Sequence, residues 1–211
     1  LNNSQKMIQF LEGNYQKESI LSSFFMSYEK CGSLQNIIYL HQNGYFQIPD
    51  FFTETILEYA AQYGQLEIIR YLHHNGFNIN SDDSKRGLLR AIVTDRVEII
   101  EYFHQQGFSF TTDFVNELVV TCGSNESLGC LEYFFHNGFF WFQEDKNSYV
   151  AENAMRTAAM ADRVGIIKYF HQKGFSFSEN FIEQLVELCG AYKSAYCFKY
   201  LHENGLIGAI I

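Results

Sequence analysis

Residues 55–80 read TILEYAAQYGQLEIIRYLHHNGFNIN, and this stretch decides the fold. Its first half, Thr55–Tyr63, has the apolar spacing of a short helix, and Gly64 permits a tight turn after it. Its second half, Glu67–Asn75, repeats the helical spacing and is closed by Gly76, a residue typical of a left-handed C-terminal cap. The stretch therefore predicts two short helices joined by a tight turn.

The same pattern recurs along the chain. A tyrosine of the second helix with the closing glycine five residues later occurs six times at this period, and these glycines are Gly44, Gly76, Gly107, Gly138, Gly174 and Gly205. The steps between them are 32, 31, 31, 36 and 31 residues. A period of this size indicates stacked supersecondary units. We therefore expect an all-α repeat solenoid of stacked helix-turn-helix pairs with short inter-repeat loops.

The stretch resembles the ankyrin repeat. The family pattern T-P-L-H-x-A-A-x-x-G-x-x-E-x-V-x-x-L-L-x-x-G-A-x-V-N aligns without a gap to Thr55–Asn80. The residues that fit it are Thr55, Leu57, Ala60, Ala61, Gly64, Glu67, Ile69, Leu72, Gly76, Ile79 and Asn80. Three residues depart from it, namely Ile56, Glu58 and Phe77. Tetratricopeptide repeats need a W-x2-L-G signature that is absent here, and HEAT units are longer.

The resemblance covers roughly residues 20 to 211. It implies a single ankyrin-type array over residues 1–211 with about six repeats, and the pattern allows a partial repeat or cap over residues 1–22. The repeat ends, of the form Y-[LF]-H-x-N-G, look like the divergent ankyrin arrays of giant DNA viruses of amoebae and of protists. A viral source would place the protein in the host cytoplasm or the virion.

A longer repeat lies inside the array. When the chain is shifted by 67 residues, Asp95–Phe139 aligns with Asp162–Leu206. The two segments have identical residues at about half of the aligned positions. This similarity indicates that repeats three and four and repeats five and six descend from one duplicated pair.

Composition argues against several functions. The formal charge is −9 and no Lys/Arg run occurs, which argues against nucleic acid as a partner. No apolar run approaches the roughly 18 residues of a membrane span. Catalytic motifs such as G-x-S-x-G and H-E-x-x-H are absent, so we expect neither an enzyme nor a cofactor. Five cysteines without a C-x-x-C pair favour reduced, buried thiols in a cytoplasmic protein.

Two columns of polar residues accompany the glycines. Histidines three residues before the glycine, at 41, 73, 104, 171 and 202, could suggest a metal site. Stacked helices lie about 8–10 Å apart, too far for histidines of adjacent repeats to share one ion. We therefore expect the histidines to cap helix carbonyls. The tyrosines should pack between repeats, with their hydroxyls reaching solvent or a backbone group.

The 36-residue step falls on the loop FFWFQEDKNSY at residues 139–149, which holds the only tryptophan. Insertions in solenoids often lie on the binding face, and Trp is a favoured anchor. Two interpretations stay open. The aromatic residues could fill a repeat junction, which suits Phe139 and Phe142 better, or bind a partner, which suits Trp141 better.

The resemblance implies a protein–protein interaction scaffold that binds its partner through a concave face and loops. The candidate partner-binding residues are Phe140, Trp141, Glu144, Asp145, Asn78, Asp82, Asp83, Thr111 and Asp113. The alternative is a structural or assembly component of a larger particle such as a virion, with self-association through the apolar end Leu206–Ile211. A ligase adaptor is a third option that rests on family analogy alone.

Overall fold

The computed structural model describes residues 33–140 and 145–208, without the side chains of residues 145–148. In these residues it contains eleven α-helices and no strand, which confirms the predicted all-α class. The helices are α1 (Leu34–Gln42), α2 (Phe51–Gln62), α3 (Leu66–His74), α4 (Asp82–Val93), α5 (Val97–Gln105), α6 (Thr112–Asn125), α7 (Leu128–His136), α8 (Asp145–Met160), α9 (Val164–Gln172), α10 (Glu179–Tyr192) and α11 (Ala195–Glu203).

The chain divides into two compact units. Unit 1 holds the described residues up to 91 together with 98–108, and unit 2 holds residues 92–97 and the described residues from 109 onward. In unit 2 the first helices α6, α8 and α10 pack side by side, and so do the second helices α7, α9 and α11. In unit 1 the second helices α1 and α3 pack in the same way. The repeat therefore builds an ankyrin-type solenoid stack.

The second helices end in a common cap. After α3, the Gly76 N–H donates to the His73 carbonyl and the Phe77 N–H donates to the Leu72 carbonyl. Gly76 has a φ of 103°, a left-handed conformation that glycine adopts without steric cost. The Asn75 Nδ2 donates to the Tyr71 carbonyl at 2.7 Å. The asparagines of three further repeats make the equivalent bond at 2.8–2.9 Å.

The histidines have another partner than the one expected. A hydrogen bond of 2.8 Å joins the His41 Nδ1 to the Tyr71 Oη of the next repeat. Equivalent bonds join His73 to Tyr102 at 2.9 Å and His171 to Tyr200 at 2.8 Å. The carbonyl-capping prediction is thus wrong for the Nδ1 atoms of these three histidines, because each bonds a tyrosine hydroxyl. After His41 and His73 an asparagine side chain bonds the carbonyl instead.

The tyrosine rings lie between repeats as predicted, but three hydroxyls bond an imidazole instead of solvent or backbone. Burial raises the pKa of Tyr71 and Tyr200, which keeps both phenols protonated. Burial, and then the neighbouring His74, lower the pKa of His73, which favours its neutral form. Burial also raises the pKa of Tyr102, so the bond between His73 and Tyr102 joins two neutral side chains.

A second link between repeats starts at the turn after each first helix. The turn residue is left-handed in five repeats, with φ from 53° to 68°, and these residues are Gly64, Asp95, Glu126, Asp162 and Lys193. The three acids accept from the N-terminus of the second helix in the following repeat. Asp95 accepts from the N–H of Gly129 at 3.1 Å and of Cys130 at 2.8 Å. Because helix N-termini carry unpaired N–H groups, each acid caps its neighbour.

The core consists of apolar residues from the inner faces of the pairs. Its largest fully buried side chains include Phe103, Phe134, Phe140, Phe170 and Phe181. Four cysteines, Cys122, Cys130, Cys189 and Cys197, are free and buried, whereas Cys31 lies outside the described residues. In the described part of the chain, no helix is long and apolar enough to cross a membrane.

Candidate protein-binding surface

The first helices of unit 1 form a polar surface, here called the first-helix surface, on α2 and α4. Arg86 of α4 lies at its centre. Its Nε donates to the Glu58 Oε1 at 3.0 Å and its Nη2 donates to the Glu54 Oε2 at 2.9 Å. Arg90, one helical turn further on, donates from Nε to the other oxygen of Glu58 at 3.2 Å.

These contacts hold the charged side chains in fixed positions. Asp83 also pairs with Arg86, so three carboxylates surround two guanidinium groups. Burial works to lower the pKa of Arg86, but the Glu58 hydrogen bond and the charges of Asp83 and Glu54 outweigh it and raise the pKa. The side chains are partly exposed, so screening limits what each pair adds to stability. Their main effect is to orient the donors and acceptors.

Aromatic side chains flank this network. Phe51, the first residue of α2, is 73% exposed. Tyr59 of α2 and Tyr63, the C-cap residue just after α2, have parallel rings with centroids 6.4 Å apart, and both are partly exposed. Together with Arg86 and Arg90 they line an open cleft of about 660 Å³. Tyrosine and arginine are among the residue types enriched in protein-binding hot spots.

The loop before α4 and the first turn of α4 carry three of the residues predicted from the sequence. Asp83 contacts the Arg86 network. Asp82 is exposed and pairs with Lys85 at 2.8 Å, and this hydrogen bond lowers the pKa of Asp82. Asn78 is exposed and its Oδ1 accepts from the Asn80 N–H at 3.0 Å. The structure therefore brings Asp83 to the first-helix surface and places Asp82 at the start of the same helix.

Thr111 and Asp113 lie in unit 2, at the start of α6. Thr111 is the N-cap residue, and its hydroxyl accepts from the Phe114 N–H at 3.4 Å. Asp113 lies in the first turn, where its negative charge interacts favourably with the positive end of the helix dipole. Both are exposed, and both have a clear role in starting the helix.

The insertion loop is only partly described. Trp141 and Glu144 lie outside the described residues, and Asp145 begins α8 without a described side chain. Phe140 is 2% exposed, and its ring meets the Phe170 ring edge-on at a centroid distance of 6.2 Å. This burial favours the packing interpretation for the Phe140 side chain.

Sequence reasoning did not select Phe51, Tyr59, Tyr63, Arg86 or Arg90. A signal was present, because two tyrosines and two arginines each stand four residues apart, the spacing that places side chains on one helix face. What the sequence did not show was which face of the first helices stays uncovered by the second helices. Among the described residues, no three His, Cys, Asp or Glu side chains are grouped so that they could hold a metal ion.

Comparison with protein families gave one match. The family model described as Ankyrin repeat matches residues 52–81, which span α2 and α3. No curated protein and no solved structure matched the chain. The matched residues comprise one helix pair with its turn and its cap. The same helix pair recurs in unit 1 and in unit 2. Residues 52–81 are thus similar to the ankyrin repeat, and this match supports an ankyrin repeat protein.

Proposed function

We propose that the protein is an interaction module that binds a partner protein through the first-helix surface of unit 1. The observation that carries this proposal is the cleft in which Phe51, Tyr59 and Tyr63 flank the fixed Arg86 network. Ankyrin repeats generally act in protein–protein interaction. The resemblance implies a concave binding face, and we assign this role to the first helices.

Binding would proceed by recognition of a preformed surface. The aromatic rings supply apolar contact area with little side-chain entropy to lose. The ion pairs already hold Glu58 and Arg86 in place before the partner arrives, which reduces the cost of ordering. Three carboxylates against two guanidinium groups leave the surface acidic, as is the whole chain at −9. A partner surface that combines basic and apolar side chains complements it.

The loop residues form the proposed rim. Asn78, Asp82 and Asp83 precede or begin α4, and Thr111 with Asp113 begins α6. Trp141, Glu144 and Asp145 of the insertion are proposed as a further contact, with Trp141 as the anchor. The side chain of Phe140 is buried, so we propose that Phe140 contributes to this contact only through its backbone.

Affinity capture followed by mass spectrometry tests the first-helix surface. The unchanged chain and a Phe51→Ser/Tyr63→Ala variant serve as paired baits, and we expect the variant to lose one or more captured proteins at least tenfold. A Met160→Ala bait is the control, because it removes an exposed apolar side chain that belongs to neither proposed surface. Equal capture by all three baits contradicts the proposal. A Trp141→Ala bait tests the insertion separately.

A second candidate function is self-assembly, supported by the last described helix pair. Phe198 is 44% exposed, whereas Leu131 at the equivalent position of α7 is fully buried. Tyr192 and Tyr196 are 53% and 69% exposed beside it. Exposed apolar groups of this kind mark association surfaces. A second copy of the chain is the proposed occupant, and the viral resemblance makes a virion or the host cytoplasm its proposed place.

Light scattering separates the two functions. Assembly predicts a mass above 24.6 kDa that returns to the monomer value in a Phe198→Glu variant. A monomer at all concentrations leaves the interaction module as the sole candidate. Circular dichroism of the variant checks that the helices remain.

A further inference from the structure

The pair α6–α7 shows which positions of a helix pair receive the pair that follows it. The Val120 carbonyl of α6 accepts from the Thr157 hydroxyl of α8 at 3.2 Å. Gly123 leaves no room for a Cβ beside α8. In the turn after α6, the Glu126 carboxylate accepts from the Gly165 N–H of α9 at 2.6 Å. These three positions therefore lie on the face that α8–α9 covers.

The equivalent positions of α10–α11, at a shift of 67, are occupied by Glu187, Gly190 and Lys193. All three residues are exposed, and among the described residues no helix pair follows them. A Cβ added to Gly190 would meet open space. Phe198 of α11 is 44% exposed, whereas its equivalent Leu131 is fully buried. The outer face, defined by Glu187, Gly190, Lys193 and Phe198, is thus open at the positions that hold α8–α9 in the other pair.

The charges of the outer face disfavour a further pair of the same kind. After α4, α6 and α8, a carboxylate of the turn accepts from the N-terminus of the next second helix. Lys193 stands at this position with a φ of 58°. Its ammonium group cannot accept a hydrogen bond and would face the positive end of a helix dipole. The face therefore suits an occupant that presents a carboxylate to Lys193 and a cation to Glu187.

A second copy of the outer face presents both groups. Glu187 lies three residues before Gly190, and Lys193 lies three residues after it. If two α10 helices cross antiparallel with Gly190 on a two-fold axis, Glu187 of each copy lies opposite Lys193 of the other. Both side chains are available for this contact. Lys199 and Glu203 pair with each other, but in the described part of the chain neither Glu187 nor Lys193 has an ion-pair partner.

The remaining charges restrict how two such faces can meet. From Glu179 to Glu203 the chain carries four carboxylates and two ammonium groups, namely Glu179, Glu183, Glu187, Glu203, Lys193 and Lys199. The whole chain has a charge of −9, so two copies repel each other in most orientations. The antiparallel crossing at Gly190 places opposite charges together on both sides of the axis. The glycine allows the backbones to approach, and Phe198 adds exposed apolar area on the same face.

We propose that the outer face binds the same face of a second copy, with the two α10 helices antiparallel at Gly190 and Glu187 of each copy paired with Lys193 of the other. This inference rests on self-assembly, the second candidate function, and assigns the surface of the partner copy and the residues that orient it. Because each copy uses its outer face once, association through this face stops at a dimer.

An exchange of charges tests the pairing. Glu187→Lys and Lys193→Glu each bring like charges together at both contacts, so each variant alone should dimerise at least tenfold more weakly in sedimentation velocity. An equimolar mixture of the two variants should restore a species of twice the 24.6 kDa chain mass, because both contacts then join opposite charges. Lys193→Glu suits the backbone, since Glu126 has a φ of 60° at the equivalent turn.

Glu117→Lys is the matched control for the charge change. Glu117 is an exposed residue of α6 and lies outside the outer face. The variant carries the same change of charge as Glu187→Lys and should dimerise like the unchanged chain. Circular dichroism of all variants checks that the helices remain.

A cysteine at the two-fold axis tests the orientation. Gly190→Cys brings two thiols together at the crossing, so mild oxidation should join the copies through a disulfide between the two residues 190, identified by mass spectrometry. Glu179→Cys is the control on the same helix. In the antiparallel arrangement its two thiols lie about 33 Å apart at about 1.5 Å per residue, so this variant should stay unlinked.

The outcomes separate this arrangement from self-assembly in general. Monomers at all concentrations contradict both. A dimer that Phe198→Glu dissociates but neither charge variant weakens keeps self-assembly and overturns the arrangement. A mixture of the charge variants that stays monomeric also overturns it, as does cross-linking of Glu179→Cys as efficient as that of Gly190→Cys.

Discussion

The helix pairs α6–α7 and α10–α11 of unit 2 are equivalent members of the two-repeat duplication that the sequence predicts, but they have different surroundings. The pair α6–α7 packs against α8–α9, whereas α10–α11 has α8–α9 on one side and no described pair on the other. Gly123 of α6 touches α8 so closely that an added Cβ would lie 2.2 Å from the Ala154 carbonyl oxygen. Gly190, its equivalent in α10, has no such atom within 4 Å.

The same contrast holds for apolar residues. Leu131 of α7 is fully buried, and Phe198 at the equivalent position of α11 is 44% exposed. Burial in this array is therefore a property of the following pair, not of the residue. The duplicated pair keeps a glycine in both copies although, among the described residues, only the inner copy uses it for close packing.

Alanine at the two glycines gives the largest expected difference. Gly123→Ala forces α6 away from Ala154 and Thr157 of α8, and overpacking of this kind costs about 3 kcal/mol in the free energy of unfolding. Gly190→Ala meets no atom and should gain about 0.5–1 kcal/mol, since alanine is the better helix former. Urea unfolding followed by circular dichroism measures both. Equal effects would mean that α8 does not constrain α6.

Removal of an acidic cap should have the next largest effect. Asp95 has a φ of 53° and accepts from two N–H groups of α7. Asp95→Ala loses the cap and keeps the left-handed strain, at a cost of about 2 kcal/mol. Asp162→Ala should cost less, because the bond to the Tyr196 N–H is longer, at 3.4 Å. The urea midpoint measures the difference.

Asp95→Gly is the control for the cap, since glycine removes the strain of the left-handed conformation but does not restore the lost hydrogen bonds. The free energy of unfolding of Asp95→Gly should lie between those of Asp95→Ala and the unchanged chain. If glycine restored full stability, strain alone would explain the alanine variant and the cap would contribute nothing.

The sequence predicted the helix pairs because their signals are local. The apolar spacing and glycine of residues 55–76 appear in the structure as α2, a turn and α3, and the family resemblance supplied the stack. The bond from His41 to Tyr71 and the cap from Asp95 to Cys130 join residues 30 and 35 positions apart. Such partners depend on how two repeats align in space, which the pattern within one repeat does not contain.

The candidate surfaces were harder to predict for the same reason. The loop residues were predicted from their composition, and the binding role of Trp141 remains a prediction. The first-helix surface depends on which side chains the neighbouring helix leaves uncovered. Phe135 stands in the histidine column of the repeats, but only the structure shows its ring edge-on to the Tyr169 ring of the next repeat.

Removal of single tyrosine hydroxyls should have a smaller effect that again differs between the two contacts. Tyr200→Phe breaks the bond to His171 and should lower the free energy of unfolding by about 1 kcal/mol. Tyr169→Phe removes a hydroxyl that faces the Glu132 carboxylate, and the loss should stay within about 0.5 kcal/mol, because Glu132 is partly exposed and keeps Lys173 as a partner. Thermal unfolding measures both variants. An equal loss in both would show that the Tyr169 hydroxyl contributes as much as a full hydrogen bond to an imidazole.

The smallest expected effect is the acid dependence of the Glu132 contact. Burial works to raise the pKa of Glu132, but the Tyr169 hydroxyl and Lys173 outweigh it and lower the pKa below the usual 4.5. The native pKa thus lies below the unfolded one. The stabilisation is therefore fully present above about pH 4.5 and is lost as the pH falls through the native pKa.

Glu132→Gln should flatten the stability profile below pH 4.5 by less than about 1 kcal/mol, because the side chain is 34% exposed and screened. Glu203 of α11, whose side chain is 60% exposed in a 3.7 Å pair with Lys199, is the matched control. Glu203→Gln should leave the profile unchanged, since an exposed pair holds its carboxylate weakly. If both variants kept the original acid slope, Glu132 would be an ordinary surface carboxylate to which Tyr169 and Lys173 add no stability.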